Sequence, residues 1–236
     1  MILARIAKAI RDQNWFAVAL EFVIVIGGVV VGFQVTAWNG EQSARATEVR
    51  LLSQLELDVG AEIERKQNWI DVQIQNNAQL ASAIDLVQNP ERGDAMTGDQ
   101  CDAAWQSHIV VPYPSQLPTL DEIMAISGLA SFRDPQLRSA LLSYRSEMDE
   151  IRELNTSVQR DFVTTVDEFA EAMPRRLDIE TNAIGATCQL DLMRENQALQ
   201  NQLISNYGRA GGLVRHAQRE LALLEAVQTA MASGSD

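Results

Sequence analysis

Residues 15–40 read WFAVALEFVIVIGGVVVGFQVTAWNG, and this stretch decides how the rest of the chain is organised. Between residues 16 and 35 only Glu21 and Gln34 are polar. A helix of this length extends about 30 Å, which matches the hydrocarbon thickness of a bilayer. The stretch therefore predicts a transmembrane helix over residues 15–38.

Two tryptophans, Trp15 and Trp38, lie at the ends of this span. Indole rings favour the interface between membrane and water, so both are predicted interfacial anchors and membrane lipid is a predicted partner. A cleaved signal peptide is the alternative interpretation. Basic residues precede the span, and Val35-Thr36-Ala37 offers a small-residue cleavage site. The apolar run, however, exceeds the roughly 7–15 residues of a signal-peptide core, which favours a retained anchor.

The charge on either side of the span predicts its orientation. Residues 1–14 carry three basic side chains against one aspartate, a net charge of +2. The whole chain carries −13, which leaves −15 for the remainder. Basic flanks stay in the cytoplasm, so we expect residues 39–231 to form a periplasmic domain on a bacterial inner membrane. So acidic a domain repels nucleic acid, and we expect no nucleic-acid partner.

Four residues of the predicted helix share one face: Glu21, Gly28, Gly32 and Asn39. Each residue advances about 100° around a helix, so steps of 7, 11 and 18 return close to the starting direction. A GxxxG pair lets two helix backbones approach closely, and an intramembrane carboxylate usually faces protein or water. This face predicts an interface with another transmembrane helix. The alternative is a glutamate near the membrane edge that reaches the headgroups.

The span resembles the N-terminus of a family of bacterial single-span membrane proteins of unknown function. Members show an apolar span with an early Glu, then a Gln and a Trp-Asn pair, which correspond here to Glu21, Gln34, Trp38 and Asn39. A second block, PTLDEIMAISGLASFRDPQLRSALLSYRSE at residues 118–147, is similar to the family's short helix, turn and following helix. The resemblance implies an inner-membrane protein and supplies no activity.

The first half of the predicted periplasmic domain contains one long helix and one short one. Residues 41–88 lack proline and have apolar residues at helical spacing, which predicts a long helix continuous with the span. Residues 89–118 are rich in Gly, Pro and Asp and predict a loop. A capping-box pattern over residues 119–122 predicts a short helix that ends at Gly128.

The second half predicts two further long helices. Asp134-Pro135 is typical of a helix start, and that helix is expected to run to about residue 173. Residues 175–190 predict a second loop, and a last helix follows over residues 191–231, with a flexible tail at 232–236. The expected fold is all-α, with an N-terminal transmembrane helix that continues into an elongated antiparallel helical bundle.

The only two cysteines, Cys101 and Cys188, fall in the two predicted loops. In an oxidising periplasm two cysteines indicate one disulfide. Two free thiols are the alternative. In a simple up-and-down bundle, loops 89–118 and 175–190 lie at opposite ends and meet only if one of them runs along the bundle.

The sequence contains no pattern typical of an active site. His108 and His216 have no partner at metal-ligand spacing, and Asp94, Asp99 and Asp102 do not follow the calcium-loop pattern. We therefore expect a protein that is not an enzyme and holds no cofactor or metal.

Two functions fit these predictions. The first is a structural or interaction role, in which the protein self-associates through its transmembrane glycine face and helical stalk, or binds another membrane protein. The alternative is a periplasmic sensor or transport-accessory subunit with Glu21 as a protonatable group. The second hypothesis requires a pocket with convergent polar groups.

Overall fold

The protein is described as a computed structural model that covers residues 15–126, 128–129, 132–160, 165–180 and 182–233. The predicted cytoplasmic segment, residues 1–14, and most of the predicted tail lie outside these residues. The chain divides into two compact units, Met1–Leu51 and Leu52–Asp236. The division falls inside the first helix, beyond the predicted end of the span at residue 38.

Helix α1 runs over Trp15–Gln88 and contains 74 residues. The predicted continuity between the span and the following helix is confirmed. Residues 19–47 are exposed throughout, whereas Leu55 and Val59 are fully buried in the second unit. The first part of α1 is therefore apolar and exposed, as a membrane span would be. The second part is amphipathic and buries one face in a protein core.

The segment predicted as a loop at residues 89–118 is partly helical. It contains a 3₁₀ turn over Pro90–Arg92 and helix α2 over Gly98–Trp105. Thr97 caps α2 through a complete capping box, because its hydroxyl accepts from Gln100 N at 3.3 Å and its own N donates to Gln100 Oε1 at 2.8 Å. The loop prediction was wrong here because this T-x-x-Q signal lay among glycine and aspartate residues.

Helix α3 spans Pro118–Ile126, one residue earlier than its predicted capping box. The backbone N of Thr119 donates to Asp58 Oδ2 of α1 at 2.9 Å, so another element caps this helix. The predicted stop at Gly128 is confirmed. Gly128 has φ +63, and its N donates to Ile123 O at 2.8 Å.

Helix α4 spans Pro135–Arg160, and Asp134 caps it by accepting from Gln136 N at 2.7 Å. A short helix α5 follows over Thr165–Glu168. The predicted extension of one helix to residue 173 was wrong.

The chain turns before that point because its carbonyl groups find other partners. Ala172 O accepts from Gln189 N at 2.8 Å, and Pro174 O accepts from Thr187 N at 3.0 Å. Ala172 and Met173 are buried in this turn. The returning chain thus replaces the helical hydrogen bonds that residues 172–174 would otherwise make.

A β-hairpin occupies most of the predicted second loop. Strands β1, Arg175–Asp178, and β2, Ala183–Ala186, pair antiparallel with Leu177 opposite Ile184. Helices α6, Leu190–Glu195, and α7, Gln197–Ser233, complete the chain. The hairpin holds the only strands among the described residues, and helices make up most of the remainder, so the predicted all-α class is confirmed.

Helix α7 runs antiparallel to the second half of α1. Ile70 packs with Val214 and Ala217, whereas Leu80, further along α1, packs with Leu203, which lies earlier in α7. Residue numbers therefore rise along one helix as they fall along the other. This antiparallel pairing is the arrangement that the sequence predicted.

Helix α4 also runs antiparallel to α7. Glu147 pairs with Arg219 at 2.9 Å, and Asn155 lies 2.8 Å from His216. Since α1 and α4 both oppose α7, they are parallel to each other. A parallel pair requires a long crossover, whereas a simple up-and-down bundle does not.

The chain between α1 and α4 supplies that crossover and runs back along the bundle. Trp69 Nε1 donates to Val111 O at 3.2 Å, and further back along α1 Asp58 meets Thr119. The crossover therefore returns to the level of residue 58 before α4 begins.

One core cluster of described residues lies where α1 ends and α7 begins. It brings together residues from α1, α2, the 172–173 turn, α6 and α7, which are Leu80, Ala83, Leu86, Val87, Ala104, Trp105, Ala172, Met173, Leu190, Met193, Leu199 and Leu203. The two predicted loops thus meet at the same end of the bundle.

Candidate functional site

The first candidate site is the glycine stripe, the helix face formed by Glu21, Gly28, Gly32 and Asn39. All four residues lie on α1 at the helical spacing that the sequence predicted, and all four are exposed. A Cβ atom built on Gly28 or Gly32 meets no atom within 4 Å among the described residues. Both backbone surfaces are therefore open to a partner.

The surroundings of the stripe are apolar. Among the described residues, one helix is long and apolar enough to cross a membrane, judged by length and composition, and it is this one. Thr36, the polar residue after Val35, donates its hydroxyl to Gly32 O at 2.9 Å, so the helix itself satisfies that group. Trp15 is the first residue of α1, and Trp38 is exposed, as an interfacial residue requires.

The two cysteines are joined. Cys101 lies in α2 and Cys188 lies two residues beyond β2, with 5.6 Å between their Cα atoms and an S–S bond of 2.04 Å. The crossover removes the geometric objection, because both predicted loops lie at the end of the bundle where α1 stops. The bond ties the crossover to the hairpin.

A third feature, the buried ion pair between α1 and α7, escaped the sequence analysis. Lys66 Nζ lies 2.5 Å from Glu220 Oε2, and each side chain is only 1% exposed. Ser115 of the crossover donates to the same carboxylate oxygen through its hydroxyl at 3.0 Å and its backbone N at 3.3 Å. Lys66 also donates to Tyr113 O. The pair therefore fastens the crossover to both long helices.

The spacing of apolar residues along α1 and α7 indicates that both charged residues are buried. Lys66 falls between Val59 and Ile70 on the buried stripe of α1, and Glu220 falls between Ala217 and Leu224 on that of α7. One positive and one negative residue at core positions of facing helices indicate a buried pair. The sequence alone does not say which helices face each other, so the pairing was not predictable.

Two further polar groups lie near this pair. Glu62 is buried, and one of its oxygens accepts from Arg65 at 2.8 Å while Oε2 has no hydrogen-bond partner. The hydrogen bond from Arg65 to Glu62 raises the pKa of the arginine above its ordinary value. The hydroxyl of Tyr144 is also buried without a partner, and burial raises its pKa. These groups form the polar interior of the bundle.

The two histidines lie apart from each other. Burial lowers the pKa of His216, and the charge of Arg215 lowers it further. Burial likewise lowers the pKa of His108. Within the described residues no group of three or more His, Cys, Asp or Glu side chains is placed to hold a metal ion.

Comparison with protein-family models, with characterised proteins and with solved structures found no match to this chain.

Proposed function

We propose that this protein is a single-pass, membrane-anchored helical protein that self-associates through its glycine stripe, and that its role is architectural. The observation that carries the proposal is the open backbone at Gly28 and Gly32 on the apolar part of α1, which is exposed over residues 19–38. Lipid tails cannot pack against a bare helix backbone as closely as a second helix can.

Glu21 supports the same proposal. Its carboxyl lies on the stripe, so an approaching helix would cover it. A carboxylate at the bilayer centre is unfavourable by about 2.5–3.5 kcal/mol on insertion scales. In a helix–helix contact the group can be hydrogen-bonded, which lowers that cost.

We also propose that residues 1–14 are cytoplasmic and the helical domain periplasmic in a bacterial inner membrane. The basic flank before the span supports this orientation. The disulfide between Cys101 and Cys188 supports an oxidising compartment for the domain.

The test compares two leucine substitutions in one helix. Gly32→Leu places an isobutyl group on the stripe, and Gly27→Leu places the same group about 140° away. Neither position has a neighbour within 4 Å among the described residues, so the two changes are equivalent in a single chain.

Association should be measured in lipid nanodiscs and by detergent dilution. We expect Gly32→Leu to shift the protein towards monomer and Gly27→Leu to associate as wild type does. Equal association of wild type and both variants would refute the role of the stripe.

A further inference from the structure

A polar cleft lies between residues 73–80, near the end of α1, and the part of the crossover that contains α2. It measures about 260 Å³. One wall comes from α1 and the other from α2 and the residues that follow it. Its polar lining includes six amide side chains and two carboxylates, which belong to Gln73, Gln75, Asn76, Asn77, Gln79, Gln106, Asp99 and Asp102. We call it the amide cleft.

The amide groups of the α1 wall are free to bind a ligand. Gln73, Asn76 and Asn77 follow one another at the i, i+3 and i+4 spacing, so their side chains project from one side of a rigid helix. Their side chains make no hydrogen bond to any residue that the structure describes. By contrast, Gln100 on α2 uses its amide to cap the helix and to bind Ser82.

The charge of the amide cleft selects against anions. Asp99 and Asp102 line it, and no lysine or arginine does so among the described residues. Phosphorylated or carboxylated ligands would meet negative charge with no compensating cation. An amide offers one acceptor oxygen and two donor hydrogens, and a carboxylate offers acceptors only. Such a lining matches neutral groups that both donate and accept, as neighbouring sugar hydroxyls do.

The remaining lining suits the apolar face of a sugar ring. Ile109 and Val110 of the crossover contribute aliphatic surface to the cleft. Aliphatic surface next to hydrogen-bonding groups can take up both the C–H face and the hydroxyl edge of a ring.

We propose that the amide cleft binds one ring of a neutral oligosaccharide. The volume is slightly below the roughly 300–1,000 Å³ of typical small-molecule pockets, which fits a single ring of a longer chain rather than a whole large ligand. In this site the amides of Gln73 and Asn77 bind ring hydroxyls, and the two aspartates accept from further hydroxyls. The proposal is independent of self-association through the glycine stripe.

The test uses full-length protein in lipid nanodiscs, so that no maltoside or glucoside detergent competes. Tri-N-acetylchitotriose and maltotriose are the neutral probes, and trigalacturonate is the anionic one. Binding is measured by saturation-transfer difference NMR over a millimolar titration. We expect saturable binding of at least one neutral probe and no saturable binding of trigalacturonate.

Matched variants locate the binding. Gln73→Ala/Asn77→Ala should weaken it at least tenfold, and so should Gln106→Ala on the opposite wall. Gln67→Ala/Asn68→Ala removes two exposed amides of the same helix outside the cleft and should leave binding unchanged. Circular dichroism melts check that each variant is folded.

Three results would overturn the proposal. The first is that neither neutral probe saturates in the millimolar range. The second is that trigalacturonate binds as well as the neutral probes. The third is that folded variants of both walls bind as tightly as the Gln67→Ala/Asn68→Ala control.

Discussion

At the residue scale, Lys66 and Glu220 form an ion pair that is almost completely buried. Both charges are removed from water, and each is satisfied by the other and by the crossover. Removal of one partner leaves an uncompensated buried charge, which destabilises proteins by about 3–5 kcal/mol. Replacement of both partners by apolar residues avoids that penalty.

We therefore predict that Lys66→Met lowers the free energy of unfolding by about 3–5 kcal/mol. The double variant Lys66→Met/Glu220→Leu should recover part of this loss, because no buried charge remains although Ser115 and Tyr113 O lose their partners. Denaturant unfolding followed by circular dichroism measures both. A loss below about 1 kcal/mol in the single variant, as for an exposed pair, would contradict the burial described here.

The two histidines predict how stability depends on pH. Burial lowers the pKa of His216 and His108 below 6.5 in the folded state. The unfolded chain then binds more protons between the folded pKa and 6.5, so stability is lost as the pH falls through this window. We expect the unfolding midpoint to fall on acidification from pH 7 towards 5.

A double variant isolates this effect from the carboxylates. His216→Gln keeps a polar group near Asn155, and His108→Gln removes the second titrating ring. The combined variant should show a flatter dependence of the midpoint on pH across the same window. Equal slopes for wild type and variant would show that the histidines do not contribute.

At the scale of elements, the disulfide determines how firmly the crossover is held. Cys101 and Cys188 are separated by 87 positions, so their bond closes a long loop. In the chain-entropy model a disulfide that closes a loop of this length stabilises the folded state by about 4–5 kcal/mol, because it restricts the unfolded chain.

We predict that Cys101→Ser/Cys188→Ser lowers the free energy of unfolding by up to this amount, about 4–5 kcal/mol. The native protein, kept from reductants, should be lighter than its reduced form by the mass of two hydrogen atoms. A dithiol of full mass would contradict the pairing and remove one support for a periplasmic domain.

The elements also show what the sequence could predict. Helix α1, the cap at Asp134 and the stop at Gly128 follow from local patterns, and the structure has all three. The hairpin over residues 175–186 was missed because its short strands have little pattern of their own. Their position depends on distant residues, because Ala186 of β2 packs against the core cluster that contains Leu80 and Ala104.

At the scale of the whole molecule, chain direction was the hardest property to predict. The helices were expected to alternate, but α1 and α4 are parallel in the second unit. A crossover that packs along a bundle is difficult to tell from a surface loop by composition. The contacts that define it, such as Asp58 with Thr119, join residues 61 positions apart.

Membrane topology is the first prediction at this scale. The native cysteines form a disulfide, so Asp236→Cys adds a single free thiol. With the outer membrane permeabilised and the inner membrane intact, we expect a membrane-impermeant maleimide to label it. Labelling only after lysis of the inner membrane would place the helical domain in the cytoplasm.

The native mass of the wild-type protein in lipid nanodiscs tests the central claim most directly, because the glycine stripe is proposed to pack against a second copy of the chain. One chain has a mass of 26.1 kDa. We predict a mass of at least two chains, in a whole multiple of this value, with no other protein present besides the nanodisc scaffold. A species of 26.1 kDa at every protein-to-lipid ratio, with nothing co-purifying, would contradict self-association and leave Glu21 as a residue that reaches the headgroups alone.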